Sequence, residues 1–157
     1  MKNKLSYIIT VIAVFLVSFL GSLVTNRGMD WYETLNLPSF TPPGFFIGIV
    51  WSIIFLLSLF SILLFLHKNK AKKELYFGII IFFFILNGIL NIFWSVLFFG
   101  GGLIFWSILE MIVLNLTNLT LILLLWKNNK VSSILFWPYF LWVGFATYLA
   151  YIIYLLN

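Results

Sequence analysis

The chain has 157 residues, 64% of them hydrophobic and only 8% charged. Soluble domains carry about 25% charged residues, so the composition excludes a soluble globular domain and leaves an integral membrane protein. The net charge of +5 raises the question of nucleic acid, but the cations are spaced between apolar segments, and the absence of cysteine excludes disulfides, thiol catalysis and cysteine-held metal.

About 20 apolar residues cross a bilayer as a helix, and five stretches reach that length: 5–25, 44–66, 75–99, 103–126 and 133–156. Runs this long and unbroken are helices, since barrel strands alternate in short segments. The expected fold is therefore all-α, a polytopic bundle of five transmembrane helices in a single domain, 1–157, with a lid loop at 26–43. Lys2 and Lys4 precede the first span, Lys68, Lys70, Lys72 and Lys73 follow the second, and Lys127 and Lys130 follow the fourth. With five spans these places share one side, and only Arg27 falls on the other. The positive-inside rule then sets the N-terminus in the cytoplasm and Asn157 outside a cell membrane. These lysines read first as topology signals and second as a patch for anionic membrane lipid; no nucleic-acid role follows.

The first span is too long for a signal-peptide core and lacks a small-x-small cleavage site. Its outer end carries Ser18, Gly21, Ser22 and Thr25 at helical spacing, a small face for close packing or for lining a cavity. Residues 26–43 then hold three of the four prolines and two of the four acids, Asp30 and Glu33. Long connections without periodicity are disordered or functional, and disordered ones are poor in aromatics; with Trp31, Tyr32 and Phe40 this one reads as an ordered lid whose rings pack on what lies beneath. Pro43 suits the first turn of the second span.

That span places Gly44 and Gly48 as a GxxxG pair, a weak signal for a helix contact or dimer face, and Ile47, Trp51, Phe55 and Ser58 along one face. His67, the only histidine, sits among lysines and reads as an interfacial residue, so no metal site is expected. In the third span Asn87, Asn91 and Trp94 share a face. Amides in hydrocarbon are costly without partners, so the pair lines a cavity or bonds between helices, with cavity lining favoured for Asn87. Gly100-Gly101-Gly102 makes an abrupt turn. The fourth span brings Trp106, Ser107 and Glu110, the only carboxylate within a span; a structural role is favoured over a proton relay because no intramembrane cation is available to it. In the fifth, Pro138, Trp142, Phe145, Ala146 and Leu149 follow one stripe, with Pro138 as a possible kink. At ~1.5 Å rise per residue Trp51, Trp94 and Trp142 lie too deep for a headgroup-level aromatic belt, which better suits Trp126 and Trp137. The aromatic and amide groups gather in the outer half, under the lid.

Several of these residues are similar to one family. Trp31-Tyr32, Leu35, Pro38 and Pro42-Pro43, then Val50-Trp51-Ser52 with Phe55, then Asn87 with the run Leu90 to Gly100, and finally Pro138-Tyr139, Trp142 and Phe145-Ala146 resemble the tryptophan-rich sensory protein family, TspO, also called the translocator protein or peripheral benzodiazepine receptor. The resemblance spans nearly the whole chain. Departures are Leu37-Pro38-Ser39-Phe40 where the family has Lys-Pro-x-Trp, Phe55 for a tyrosine, and Leu149-Ala150 for Leu-Asn. No Lys or Arg follows Lys130, so the C-terminal cholesterol motif of animal members is absent.

The resemblance implies a homodimer that binds porphyrins and isoquinoline carboxamide or benzodiazepine-type ligands under the first loop, with Tyr32, Pro42, Trp51, Asn87, Trp94, Trp142 and Ala146 as pocket residues. Ile47, Phe55, Ser22 and Ser107 join them as candidate wall residues by depth and face. It further implies light- and oxygen-dependent degradation of protoporphyrin IX, or transport of it; sensing through partners is a third reading. No acid–base constellation is visible. Turnover would be the bound porphyrin's own photochemistry, with no other cofactor, and with Trp51, Trp142 and Trp31 as the redox-active candidates. Arg27 is a candidate partner for a carboxylate at the mouth.

Overall fold

A computed structural model of the chain describes residues 2–68 and 74–157. Every described regular element is helical: α1 (Lys2–Arg27), a single turn α2 (Met29–Tyr32), α3 (Gly44–Lys68), α4 (Glu74–Ser95) running into a π-helical turn (Val96–Gly100), α5 (Ile104–Asn128) and α6 (Lys130–Leu156). The five long helices have the length and apolarity to cross a membrane, as expected. They outrun the expected spans by a few residues, because a backbone leaving the hydrocarbon keeps its own hydrogen bonds and polar side chains accept a last turn. Lys70, Lys72 and Lys73 lie outside the described residues.

Neighbour packing orders the long helices as a ring: α1 against α3, α3 against α6, α6 against α5, α5 against α4, and α4 back against α1. The core is off-centre. Met111, Leu114, Leu121 and Leu125 of α5 meet Phe136, Tyr139 and Val143 of α6, all almost wholly buried. Lipid tails are as apolar as leucine, so packing and hydrogen bonds between helices must hold such a wall. Ser133 Oγ donates to the Ile122 carbonyl at 2.7 Å and Ser61 Oγ to the Ser132 carbonyl at 2.8 Å. The Tyr76 hydroxyl donates to the Leu124 carbonyl. Asn129 makes the short α5–α6 turn by accepting the Val131 amide on its side chain.

Two ends of the ring are distinguishable. At one lie Lys4, His67, Lys127 and Lys130; there the Tyr7 hydroxyl meets His67 Nδ1 at 3.5 Å. The other is the lid end. Gly102, at φ +61°, closes the glycine turn there, in the left-handed region that glycine enters without penalty. Helix α6 continues through Pro138, which costs one backbone hydrogen bond but does not end the helix.

Candidate functional site

The lid is ordered and its rings point down. Trp31 meets Phe98 edge-on at 5.5 Å, and Tyr32 leans on Phe98 and Phe99 at 6.2 and 5.6 Å. The π-helical turn makes this possible. A π turn holds an extra residue, and here it brings Phe98 and Phe99 together under the lid. Gly28 fits over the same turn: a Cβ there would lie 2.2 Å from the Phe99 carbonyl oxygen. Farther along, Thr41 turns back to the Pro38 carbonyl, and Pro43 accepts the amides of Phe46 and Ile47. Pro43 thus caps α3 rather than occupying its first turn. Phe40 stacks on Tyr148 of α6 at 5.8 Å, and Asn36 and Asn157 exchange hydrogen bonds, the Asn36 amide donating at 2.9 Å and Asn157 Nδ2 at 3.2 Å.

Beneath the lid is a cavity of about 390 Å³ walled by α1, α2, α3, α4 with its π turn, and α6. Helix α5 contributes nothing to it. Of the expected wall residues, Ser22, Tyr32, Ile47, Trp51, Phe55, Trp94, Trp142 and Ala146 line it together. Trp51 stacks on Trp94 at 5.7 Å and meets Tyr139 edge-on at 6.0 Å. Trp142 leans on Phe145 at 5.4 Å. The small face of α1 also lines the cavity, through Ser18, Gly21, Ser22 and Thr25.

Four expected site residues lie elsewhere. Asn87 Nδ2 donates to Asn118 Oδ1 at 2.7 Å and to Thr117 Oγ1 at 3.3 Å, so the α4–α5 contact takes it. The amide that lines the cavity is Asn91, whose Nδ2 also donates to the Tyr139 hydroxyl at 2.8 Å. The two share a helix face, but neighbours differ with depth, and sequence spacing does not report that. Ser107 is fully buried in α5 and donates back to the Ile104 carbonyl at 2.7 Å. Pro42 is half-buried in the lid and outside the lining, as is Trp31, whose ring lies over Gly102 and Phe98. Glu110 is 6% exposed and off the cavity, and neither of its oxygens has a hydrogen-bond partner among the described residues.

Sequence reading missed Phe98 and Phe99, since an α-helical count through residues 96–100 places them differently; the following glycine triplet was the only hint. It also missed Asn26 and Met29, which the α1–α2 corner turns inward.

The cavity wall is apolar with isolated polar atoms. The indole Nε1 atoms of Trp94 and Trp142 are buried without a hydrogen-bond partner among the described residues. Burial pushes the Tyr32 phenol above its ordinary pKa, so it remains a neutral donor at physiological pH. No group of three or more metal-ligating side chains occurs among the described residues.

Residues 9–155 match the TspO/MBR family. Over 157 residues, all of both chains, the sequence is 33% identical to the tryptophan-rich protein TspO of Bacillus cereus. It is 31% identical to that of Archaeoglobus fulgidus, covering 99% of each chain. The translocator protein of Homo sapiens is 26% identical over 85% of this chain and 79% of its own.

Proposed function

Because the chain belongs to the TspO/MBR family and is a multi-pass membrane protein, we propose that its cavity binds protoporphyrin IX and promotes the ligand's degradation by light and oxygen. One observation carries this reading: Trp51, Trp94 and Trp142 line one cavity together with the side chains of Tyr32 and Asn91, an aromatic wall with a few polar groups. The volume falls within the ~300–1,000 Å³ range of small-molecule pockets, which are mostly apolar with a few placed polar groups. Isoquinoline carboxamides and benzodiazepine-type ligands fit the same description.

The excited porphyrin takes an electron from a neighbouring indole and passes it to dioxygen. The indole radical cation then takes an electron back from the porphyrin. Superoxide and the porphyrin radical cation combine at a carbon bridge between two pyrroles, where the C=C bond breaks to leave two carbonyls. Both oxygen atoms end on the opened ring, so no external reductant is needed. The chain holds the ring, keeps water out and supplies oxidisable indoles. Trp51 and Trp142 lie in the wall as the indoles that lend and recover that electron. Trp31 joins them through Phe98, which stacks on Trp94 at 5.9 Å. The protein acts as a homodimer with its lysine end in the cytoplasm, following the positive-inside rule.

The test is illumination of the purified protein with protoporphyrin IX beside a Trp51→Phe, Trp142→Phe variant. Protein-dependent bleaching that slows at least about tenfold in the variant supports the reading; binding with no light-dependent change overturns the degradation step. Transport of the same compounds is the second reading, favoured by exposed residues in the cavity wall, Gly48 and Ser52. Counterflow of porphyrin in liposomes would establish it.

A further inference from the structure

The cavity wall has a gap, and the gap faces the bilayer. Around α3, at about 100° per residue, three faces follow one another. Ile54 and Ser61 are buried in the bundle, Trp51 and Phe55 look into the cavity, and Ile49 and Ile53 are exposed on the outside. Gly48 and Ser52 fall between the second and third faces: both line the cavity and both are exposed. A Cβ at Gly48 would meet no atom within 4 Å. Ser52 returns its hydroxyl to the Gly48 carbonyl at 2.9 Å, which spends its polarity within the helix. Across the gap, Ser22 of α1 has the same double character, lining the cavity and exposed.

Depth decides what the gap opens onto. Gly48 and Ser52 lie about 6 and 12 Å along α3 from its first residue, at ~1.5 Å per residue, which is below the lid and within the hydrocarbon. The roof is fastened by contrast, through the Asn36–Asn157 hydrogen bonds and the Phe40–Tyr148 stack. The α1–α3 seam stays loose toward the lysine end, where an apolar groove of about 540 Å³ runs between Val11 and Ile12 on one side and Phe60 and Leu64 on the other.

We propose that ligand reaches the cavity sideways from the bilayer, between α1 and α3, beneath a lid that stays shut. This rests on the porphyrin reading only for the identity of the ligand. The route selects for molecules that dissolve in hydrocarbon. A porphyrin carboxylated on every pyrrole is turned away at the seam even where its ring would fit.

Stopped-flow binding of protoporphyrin IX to the full chain in lipid nanodiscs reads the route. Gly48→Leu with Ser52→Leu fills the gap. Association is expected to slow by about tenfold, within the range that interface changes produce in on-rates, and release of preloaded ligand is expected to slow as well. Loss of contacts alone would hasten release. Asn157→Ala with Phe40→Ala loosens the roof and is expected to leave both rates within about twofold. Leucine variants that bind and release at the parent rates overturn the proposal, as does a loosened roof that quickens both. A second readout needs no ligand. In this cysteine-free chain, a fluorophore on Ser52→Cys is expected to be quenched by mid-chain nitroxide lipids as strongly as one on Ile53→Cys, with Val143→Cys as the shielded control. Quenching no greater than at Val143 overturns the opening. If the parent binds no porphyrin but Ser52→Cys is quenched, the ligand assignment falls and the lateral opening stands.

Discussion

Half of the most apolar stretch of α5 is buried inside the bundle, against 11% of that of α1. The α4–α5–α6 side of the ring is a wall closed by serine and asparagine bonds to neighbouring helices, and its central helix, α5, takes no part in the cavity. The α1–α3 side is thinly packed near the cavity, where Ser52 spends its hydroxyl within α3 and Ser18, Ser22 and Thr25 line the open space. All five helices are apolar enough to cross a membrane, and α1 and α3, at mean hydropathies of 2.5 and 2.8, are more apolar than α5 and α6, at 2.1 and 1.7. What also differs is where small residues meet a partner. Ser132 and Ser133 let α5 and α6 close up, whereas Gly44 and Gly48 face open space.

The contrast can be broken most severely from the closed side. Phe136 is fully buried and meets Phe84 and Tyr139 at 5.6 and 5.5 Å. Phe136→Ala should cost about 3–5 kcal/mol in reversible unfolding in detergent, while Phe45→Ala, at a side chain 74% exposed, should shift it by less than about 0.5 kcal/mol. Next comes the junction between the sides. Gly28→Ala drives a methyl into the Phe99 carbonyl and should cost about 1–3 kcal/mol, with faster proteolysis of the lid as the local readout. Smaller again is the amide pair. Asn87→Leu should lose about 1 kcal/mol of stability with porphyrin affinity unchanged in a fluorescence titration. Asn91→Leu, which alters the cavity wall and orphans the Tyr139 hydroxyl, should weaken binding by about 1–3 kcal/mol. Loss of affinity on Asn87→Leu would show that the helix face, rather than the observed contacts, assigns function. Apart from the Phe45→Ala control, the last and mildest change belongs to the roof: Phe40→Ala should change stability by about 0.5–1.5 kcal/mol, the worth of an aromatic pair.

Length and apolarity made the five helices legible, and the proline-rich segment announced the lid. The deep tryptophans were legible too, because Trp51, Trp94 and Trp142 lie too far from the headgroups for a belt. Asn87 and Ser107 were not. A polar residue inside a span must find a partner, but whether that partner is a neighbouring helix or a cavity depends on packing around the ring, which periodicity does not encode. The GxxxG pair shows the same limit: Gly44 and Gly48 permit close approach, yet among the described residues no helix takes up the offer. The seating of Trp31 over Gly102 depends on a turn whose departure from α-helical geometry leaves no mark in hydrophobic periodicity.

That turn has a further consequence for how the chain tolerates change in length. Residues 96–100 spend one more residue per revolution than the helix before them, and the carbonyls of Leu97 and Phe98 are taken up by the amides of Leu103 and Gly102. Deleting a single position there would restore ordinary winding and rotate the downstream backbone by roughly 100°. A one-residue deletion, harmless in most interhelical connections, would therefore unseat Trp31 and remove the cavity's ceiling while leaving all five membrane crossings in place.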